Sequence, residues 1–486
     1  MSEFLADSPY EAVIGLEVHA QLKTRTKIFC GCQASFGSAP NSQTCPVCLG
    51  MPGVLPVLNR QVVEYALRMA LATHSAIAPT SIFARKNYFY PDLPKAYQIS
   101  QFEEPLCEHG YVEFEDDDTW KRVALTRIHL EEDAGKLLHP GNGSGGGSRV
   151  DLNRCGTPLI EIVSEPEIKT PHDAALYMME VRRTLRYLDI CDGNMEEGSL
   201  RCDANISIRK KGETHLGTKT ELKNMNSFRN VERALEYEVF RQIDMLETGE
   251  PIIQQTLTWD ARTNIASPMR DKEDSHDYRY FPDPDLVPVK IDEDWLESLR
   301  SAMPELPREK KQRFVEQYDI RSYDAGILTD SQELAHYFED VVKTGVDAQK
   351  AGNWIITEVL GRLNERNQDI ADFSVSAEQL GALLGRIADS TISGKIAKDV
   401  FEEMIDTGQT VDTIIDARGL EQISDDAALR EIITGVLSEH PDDAQAYRDG
   451  NKKVAGFFVG QIMRATQGKA NPQVVNTLLR EMLDAG

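Results

Sequence analysis

Two stretches in the N-terminal half of the chain alternate between apolar and polar positions. In Val13–Gln21 and again in Ser199–Arg209, the apolar residues recur at every second position. A period of two predicts β-strands of a sheet that is buried on one face and open on the other. The open positions concentrate Glu, His, Arg, Asp and Asn, which is unusual for a merely solvated surface. We therefore predict that the open face of this sheet forms a wide polar cradle.

Helical periodicity predicts what covers the back of this sheet. Ser227 is a suitable N-cap for a helix that would pack there with one apolar stripe. A second amphipathic helix is predicted further along the chain, where Gly345 would end it. The stripe residues are Val231, Leu235, Val239 and Ile243 in the first helix, and Leu334, Tyr337, Phe338, Val341 and Val342 in the second.

The chain is too long, at 486 residues, for a single hydrophobic core, so several domains are expected. Strand and helix patterns mix before about residue 290, and helical patterns dominate after about residue 295. The proline-rich stretch Phe281–Pro307 is the predicted join. The glycine- and serine-rich stretch Gly141–Ser148 is predicted to be a flexible hairpin loop.

The charge balance restricts the function. The chain has 53 basic and 79 acidic residues, for a net charge of −26, which disfavours a general nucleic-acid binder because phosphate contacts need Lys and Arg. The N-terminal residues show no basic and apolar signal region, and no apolar run is long enough to cross a bilayer. We therefore expect a cytoplasmic protein with no membrane partner.

One basic segment stands out against the acidic background. Residues 451–480 contain five basic residues and no acidic residue, together with apolar positions at helical spacing. An ordinary amphipathic helix pair explains the apolar positions, while the charge favours contact with RNA phosphates. The basic residues are Lys452, Lys453, Arg464, Lys469 and Arg480.

Carboxylates and one imidazole share the predicted polar face. Glu17 and His19 lie two positions apart, and Glu161 interrupts the apolar strand Leu159–Val163. Residues 131–133, Glu-Glu-Asp, end another predicted strand. A carboxylate in an apolar strand is costly unless it is paired or binds a metal, and such a donor set suits Mg²⁺. The alternative is a set of salt bridges to Arg154 or Arg201.

Four of the eight cysteines form a cluster. Cys30 and Cys32 are separated from Cys45 and Cys48 by twelve residues, and the second pair has the spacing of a zinc knuckle. Four thiolates fill a tetrahedral site, so the predicted Zn²⁺ is structural. The phosphate-binding motif G-x-x-x-x-G-K-[ST] is absent from the sequence. Any ATP site must therefore be built on the sheet with metal and basic residues.

Six long blocks resemble one family, the B subunits of the GatCAB tRNA-dependent amidotransferases. The resemblance continues into the C-terminal helices and covers nearly the whole chain. The blocks are Tyr10–Gln21 (YEAVIGLEVHAQ), Lys86–Gln101 (KNYFYPDLPKAYQISQ), Asp151–Pro166 (DLNRCGTPLIEIVSEP), Met195–Ser207 (MEEGSLRCDANIS), Gly217–Glu238 and Asp277–Leu286 (DYRYFPDPDL).

The resemblance implies an α+β protein in three parts. Residues 1–292 would form a catalytic cradle domain with an antiparallel sheet, related in fold to glutamine synthetase, with the zinc knuckle at residues 30–48. Residues 293–410 would form an all-α helical domain. Residues 411–486 would form a helical tail similar to the YqeY proteins that contacts tRNA.

The resemblance also implies roles for individual residues. His19, Glu132 and Glu161 would bind Mg²⁺ at the ATP site. The shared polar face and the matched blocks together predict the catalytic residues, which are Glu17, Arg201, Asp203, Asn205, Glu221 and Lys223. Those binding ATP would be Lys86, Asn87, Tyr278 and Arg279. Those contacting tRNA would be Lys452, Lys453, Arg464 and Lys469.

The implied activity is that of an ATP-dependent carbon–nitrogen ligase with glutamine as amido donor. It would phosphorylate the side-chain carboxylate of Asp-tRNA(Asn) or Glu-tRNA(Gln), and ammonia would then displace the phosphate. No glutaminase pattern is visible in the sequence, so ammonia would come from a partner A subunit in a complex with a small C subunit. Two alternatives stay open: a free-standing ligase resembling glutamine synthetase, and a non-enzymatic zinc-knuckle RNA-binding protein.

Overall fold

The computed structural model describes residues 7–117, 119–138, 147–269, 278–366, 368–422, 425–466 and 469–485. The chain divides into two compact units, Met1–Leu306 and Pro307–Gly486. The first unit mixes strands and helices and the second is helical, as the sequence predicts. Most of the predicted glycine-rich loop, residues 141–146, lies outside the described residues, but the short strands that flank it pair as an antiparallel hairpin.

The strands all belong to the first unit. They are β1 (Tyr10–Gln21), β2 (Ala76–Ile77), β3 (Thr80–Ser81), β4 (Ala84–Asn87), β5 (Tyr97–Ser100), β6 (Cys107–Glu108), β7 (Tyr111–Asp116), β8 (Thr119–Glu132), β9 (Lys136–Leu138), β10 (Arg149–Asp151), β11 (Pro158–Ser164), β12 (Leu200–Lys210), β13 (Thr220–Lys223), β14 (Thr256–Asp260), β15 (Ile265–Pro268), β16 (Phe281–Pro282) and β17 (Val289–Lys290).

Ten strands among the described residues form the main sheet. Their order is β15-β14-β13-β12-β1-β11-β8-β6-β2, with β7 paired to β8. The expectation of an antiparallel sheet holds except where β14 pairs with β13 in parallel. That pair is joined by a long helical connection, which parallel neighbours require. β16, β4 and β5 form a separate small sheet, and its strand β5 contacts β8 of the main sheet.

The alternation in the sequence sets the two faces of the main sheet. In β1 the positions of Ile14, Leu16 and Val18 are fully buried, whereas Glu17 and His19 are only half-buried. We call the side of the main sheet that carries Glu17 and His19 the polar face. The other side contributes to the first core.

Three helices of the first unit supply apolar side chains to the core: α1 (Arg60–Ala72), α2 (Pro171–Tyr187) and α3 (Phe228–Thr248). Ser227 caps α3 by accepting a hydrogen bond from the backbone N–H of Asn230, as predicted. All four residues of the predicted stripe on α3 are buried. Helix α4 (Glu293–Ser301) also packs against this core, through Trp295 and Leu299.

The second unit contains twelve α-helices among its described residues. They are α5 (Pro307–Tyr318), α6 (Ser322–Leu328), α7 (Gln332–Lys343), α8 (Ala348–Trp354), α9 (Leu360–Arg366), α10 (Ala377–Ala388), α11 (Gly394–Thr407), α12 (Val411–Arg418), α13 (Asp426–Glu439), α14 (Pro441–Arg448), α15 (Ala455–Ala465) and α16 (Pro472–Ala485). A π-helical turn, Ile355–Val359, connects α8 to α9. The predicted helix with the Leu334 stripe is α7, and Gly345 follows it with a positive φ of 94°.

Burial places the domain boundaries later than the sequence predicted. Helix α4 belongs to the first unit, because Leu299 is part of the first core, so that unit extends to Leu306 and not to residue 292. Helix α12 likewise contributes Val411 and Ile414 to the core that begins at Phe314. The core of the tail starts only at Leu429. The division at Leu306 lies within the proline-rich stretch Phe281–Pro307, and packing decides which core each neighbouring helix joins.

No helix among the described residues is long and apolar enough to span a membrane.

Candidate functional site

The centre of the polar face is a group of imidazoles and carboxylates on three adjacent strands. His19 on β1 is the register partner of Glu161 on β11, which in turn pairs with His129 on β8. Nε2 of His19 lies 3.4 Å from a carboxylate oxygen of Glu161 and 3.6 Å from one of Glu131. Donor atoms of His19, Glu131 and Glu161 all fall within 4.8 Å of one another, close enough to share one metal ion.

Burial and charge set the protonation of this group. Burial alone would lower the pKa of His19, but its hydrogen bond to Glu161 and the charges of Glu161 and Glu131 raise that pKa to about 9. The pKa of Glu161 lies well below its usual value, because the two neighbouring histidines outweigh its desolvation. Burial and the charge of Glu161 raise the pKa of Glu131. Each shift reflects close packing of groups that a cation would hold together.

Glu132 does not share this group, and the expectation that it lies with His19 and Glu161 is wrong. Successive side chains on a strand point to opposite faces, so Glu131 faces His19 and Glu132 faces away. The carboxylate of Glu132 is buried, pairs with the ammonium of Lys95, and accepts a hydrogen bond of 2.9 Å from the backbone N–H of Ile99.

A second acidic group on the polar face consists of Glu17, Asp203 and Glu221. The Nζ atom of Lys223 lies 2.6 Å from Asp203 and 2.9 Å from Glu221, and Asn205 donates a hydrogen bond of 2.9 Å to Glu17. Burial, with the charges of Glu161, Asp203 and Glu221, raises the pKa of Glu17. The carboxylates of Glu17, Asp203 and Glu221 also fall within 4.8 Å of one another. The structure therefore brings together five of the six predicted catalytic residues.

Arg201, the sixth, has a carboxylate partner of its own. Its guanidinium donates two hydrogen bonds to Asp133, of 2.8 and 3.1 Å, and Arg154 approaches the same carboxylate to 3.5 Å. Desolvation opposes ionisation of Asp133, but the charges of Arg201 and Arg154 outweigh it and lower its pKa. The salt bridges proposed as the alternative to a metal site thus involve Asp133 rather than Glu161.

The predicted ATP-binding residues lie near one end of the polar face. The ammonium of Lys86 is 4.7 Å from the ring centroid of Tyr278. Burial would lower the pKa of Lys86, but Tyr280, Glu131 and nearby charges raise it. Asn87 donates hydrogen bonds to the backbone carbonyls of Tyr278 (3.2 Å) and Arg279 (2.7 Å). Asn87 therefore holds the segment that presents Tyr278.

The four clustered cysteines converge as the spacing predicts. The Sγ atoms of Cys30, Cys32, Cys45 and Cys48 lie within 4.8 Å of one another and can hold a metal. The fully buried ammonium of Lys27 lies 3.7 Å from Sγ of Cys48. A hydrogen bond from Cys30, backbone hydrogen bonding at Cys45 and the Lys27 charge lower the pKa of Cys48 to about 4. A lowered thiol pKa favours the thiolate form that binds metals.

The basic residues of the tail lie in α15 and α16 or in the short segments that precede these helices. Lys453 and Arg464 are exposed, whereas Lys452 forms an ion pair of 2.9 Å with Asp484 and lies 3.8 Å from the centroid of the Tyr447 ring. Lys469 is half-buried. Of the two adjacent phenylalanines of α15, Phe457 is exposed whereas Phe458 is buried in the tail core.

Three residues of the polar face were missing from the predicted site: His129, Glu131 and Asp133. His129 is buried, and its Nε2 lies 3.3 Å from a carboxylate oxygen of Glu161. A signal was available, because His129, Glu131 and Asp133 occupy alternate positions of one strand and its end. That alternation groups the three residues on one face of the strand, although the register of β8 against β11 decides that this face is the one carrying His19.

A sheet face that clusters carboxylates, imidazoles and cations is typical of the active site of an enzyme that binds charged substrates. Comparison with known proteins makes this specific. Residues 12–297 match the model of the GatB/GatE catalytic domain, and residues 336–483 match the model of the GatB domain. The chain therefore belongs to the family of aspartyl/glutamyl-tRNA(Asn/Gln) amidotransferase B subunits, as the sequence blocks indicated.

Curated relatives carry the same name along their full length. The amidotransferase B subunit of Thermodesulfovibrio yellowstonii is 55% identical over 98% of this chain and 99% of its own. Those of Geobacter sulfurreducens and Brevibacillus brevis are 54% and 50% identical, over 98% of this chain and 99% and 100% of their own. Similarity of this extent disfavours both a free-standing ligase and a non-enzymatic RNA-binding protein.

Proposed function

We propose that this chain is the component of the amidotransferase that activates the side-chain carboxylate of Asp-tRNA(Asn) or Glu-tRNA(Gln) with ATP and amidates it. The observation that carries the proposal is the group of His19, Glu131 and Glu161 on the polar face, with Lys86 electrostatically coupled to its carboxylates. One imidazole and two carboxylates form an oxygen-rich donor set that suits Mg²⁺. A lysine beside such a set is suited to phosphate.

The chemistry needs activation because a carboxylate would have to expel oxide. Transfer of the γ-phosphoryl group of ATP to the carboxylate gives an acyl phosphate. Ammonia then attacks the carbonyl carbon, the carbon–oxygen bond to phosphate breaks, and the amide and phosphate are released. When bound, Mg²⁺ would neutralise charge on the phosphates during transfer.

The chain's own residues hold and orient the reactants. Lys86 binds phosphate, with Asn87 fixing Tyr278 and Arg279 beside it. Arg201 and Lys223 each face a protein carboxylate and can exchange it for the carboxylate or phosphate of the substrates. The polar groups that orient substrate or ammonia are Asp203, Asn205, Glu221 and Glu17, which form one connected set with Lys223.

We assign the partners from two features of the chain: no glutaminase pattern is visible in its sequence, and its tail carries a basic segment. A glutaminase A subunit supplies ammonia, and a small C subunit completes a heterotrimer that works in the cytoplasm. The tail binds tRNA through Lys453, Arg464 and neighbouring cations, and is similar to the YqeY proteins. The first unit is related in fold to glutamine synthetase. The four cysteines hold one structural Zn²⁺, because four thiolates leave no open position.

The test is amide formation on Asp-tRNA and Glu-tRNA by the reconstituted heterotrimer with ATP, Mg²⁺ and glutamine. Wild type, Glu131→Gln and the matched surface control Glu247→Gln are compared. Amidation by wild type and the control, with loss of at least about a hundredfold in Glu131→Gln, supports the proposal. Absence of amidation by a well-folded wild-type complex would refute the function, and full activity of Glu131→Gln would refute the metal site.

A further inference from the structure

A buried hydrogen-bond network lies on the back of the main sheet, opposite the polar face. Its centre is Glu238 on α3, whose side chain is fully buried. The Glu238 carboxylate accepts a hydrogen bond of 2.7 Å from the hydroxyl of Thr220 on β13 and one of 2.8 Å from the side-chain amide of Gln242. Gln242 also donates to the Thr220 hydroxyl, at 2.9 Å. We call these three residues the buried network.

Strand β13 connects the buried network to the predicted catalytic residues. The strand has only four residues, and its successive side chains point to opposite faces. Thr220 and Leu222 are fully buried on the back, whereas Glu221 and Lys223 are half-buried on the polar face. Whatever fixes Thr220 along the strand therefore also fixes Glu221 and Lys223.

The buried network also contacts the neighbouring strand. β12 pairs with β13 so that Asn205 lies opposite Glu221, and Ile206 opposite Thr220. The side-chain amide nitrogen of Gln242 lies 3.4 Å from the carbonyl oxygen of Ile206, at the long end of hydrogen-bond distances. One amide group thus contacts both members of the Ile206–Thr220 pair, and α3 is attached to β12 and β13 at the same register position.

A change in this register would break the contacts of Lys223 on the polar face. Its Nζ atom lies 2.6 Å from Asp203 on β12 and 2.9 Å from Glu221 on β13. A shift of β13 by one residue would turn Glu221 and Lys223 to the back of the sheet. A shift by two residues would keep the faces but move Lys223 by about 7 Å along β12.

The buried network opposes the shift by two residues. In one direction the shift would bring Leu222 against the Glu238 carboxylate. In the other direction it would place the Thr220 hydroxyl in the apolar surroundings of Leu222. Either arrangement leaves a buried polar group without its partner, which is costly. Apolar contacts alone are not directional and would penalise the shift less.

Charge pairing by itself does not explain why a glutamate is buried here. The guanidinium of Arg241, on the same helix, donates two hydrogen bonds of 2.6 and 2.8 Å to the Glu238 carboxylate. Apolar residues in place of a buried ion pair often leave stability unchanged or increased. We propose that Glu238 is a positioning residue that fixes β13 so that Glu221 and Lys223 are aligned with β12. This inference rests on the catalytic role proposed for those two residues.

The test compares Glu238→Leu with Glu238→Gln in the full heterotrimer. Leucine removes the acceptor of the Thr220 hydroxyl, whereas glutamine keeps one. We expect kcat for amidation to fall at least about tenfold in Glu238→Leu, because a small misplacement of reacting groups costs that much or more. The KM values for ATP and aminoacyl-tRNA should change little, and Glu238→Gln should retain most of the wild-type kcat. The control is Glu247→Leu, at an exposed position of α3.

Thr220→Val tests the same contact with a smaller change and serves if Glu238→Leu fails to fold. Valine has the shape of threonine without its hydroxyl. Thr73→Val is the matched control, because it removes a buried hydroxyl at the end of α1. We expect kcat to fall in Thr220→Val and not in Thr73→Val. Unchanged kcat in both Glu238→Leu and Thr220→Val, or an equal loss in Thr73→Val, would overturn the proposal.

A double substitution shows whether Glu238 acts through Lys223. Lys223→Met alone removes the ammonium that β13 presents. Adding Glu238→Leu should then lower kcat no further, because the effects of coupled residues do not add. If the two losses multiply, Glu238 acts by another route and the proposal fails.

Amide hydrogen exchange separates this proposal from the proposed function, because it is measured on the full chain and requires no catalysis. Faster exchange of the β13 amides in Glu238→Leu than in Glu247→Leu, with the α1 amides unchanged, supports the positioning role even if the wild-type complex makes no amide. Equal exchange of the β13 amides in the two variants overturns it even if amidation is robust.

Discussion

Nε2 of His19 lies 3.4 Å from a carboxylate oxygen of Glu161, and the two residues are register partners on adjacent antiparallel strands. The contact joins a base whose pKa is raised to about 9 to an acid whose pKa is lowered. In the metal-free protein it is therefore an ion pair near neutral pH. A divalent cation would have to displace the proton from His19 before the imidazole could bind it.

The first prediction concerns the pH dependence of stability without metal. A folded-state pKa near 9 exceeds the unfolded value of about 6.5, so the stabilisation by His19 is complete below pH 6.5 and is lost as the pH rises through 9. Unfolding in urea, with a chelator present to remove metal, gives the free energy of unfolding of wild type and of His19→Gln. We expect the difference between the two values to decrease as the pH rises from 6.5 to 9. The exposed-residue variant His215→Gln should show no such trend. A constant gap would contradict the ion pair.

The second prediction concerns Arg201. Its removal takes away the nearest cation, so the buried carboxylate of Asp133 keeps its hydrogen bond from Gln21 but only the longer contact to Arg154 to balance its charge. We expect Arg201→Ala to destabilise the protein by about 3 kcal/mol in urea unfolding, because an uncompensated buried charge is costly. Arg262→Ala, which removes an exposed arginine, should cost less than about 0.5 kcal/mol.

The substitution Asp133→Asn tests whether the unbalanced charge of Asp133 causes the loss of stability. If the loss in Arg201→Ala reflects the stranded charge, adding Asp133→Asn should restore part of the stability. A double variant as unstable as the sum of the two single variants would show that charge pairing is not the cause.

The third prediction concerns the cysteine cluster. Cys45→Ser should reduce bound zinc, measured by elemental analysis of the purified protein, and lower the thermal midpoint, because metal binding stabilises only the folded site. Cys191→Ser is the matched control, since Cys191 is buried outside the cluster. Retention of one zinc per chain in Cys45→Ser would exclude a four-cysteine site.

The fourth prediction concerns the tail. Lys453→Glu and Arg464→Glu together should weaken tRNA binding and reduce the slope of log K against log salt, by about one unit for each phosphate that is no longer neutralised. Lys395→Glu, an exposed lysine on α11, is the control for net charge. Equal effects of the tail and control variants would point to a non-specific charge effect. Removal of residues 425–486 is the matching truncation, because α12 belongs to the preceding core.

Much of the site was accessible from the sequence because its signals are local. The alternation in β1 and β12 predicted which side chains share the polar face, and the structure brings Glu17, His19, Asp203 and Asn205 to that face. The cap at Ser227 and the spacing of the cysteines also depend on a few neighbouring residues. The six sequence blocks were enough to assign the chain to its family, since each block is a long pattern of neighbouring residues.

Other features depended on the packing of distant segments against one another. A run of two glutamates at residues 131 and 132 does not reveal which one faces His19, because the register of β8 against β11 decides it. Arg201 meets Asp133 only because β12 and the end of β8 lie near each other in the folded sheet. The domain boundaries shifted because α4 and α12 bury apolar side chains in the preceding cores.

The sequence by itself determined the strands and their two faces, the helix caps, the clustered thiols and the family. The tertiary structure alone decided that Glu131 joins His19, that Arg201 pairs with Asp133, and that Glu238 meets Thr220 on the back of the sheet. The physical reason is the distance along the chain between the residues that set each feature. Periodicity and capping are set by residues within one or two turns, whereas charge pairing and buried hydrogen bonds between elements are set by strand register and by the packing of α3 on the sheet.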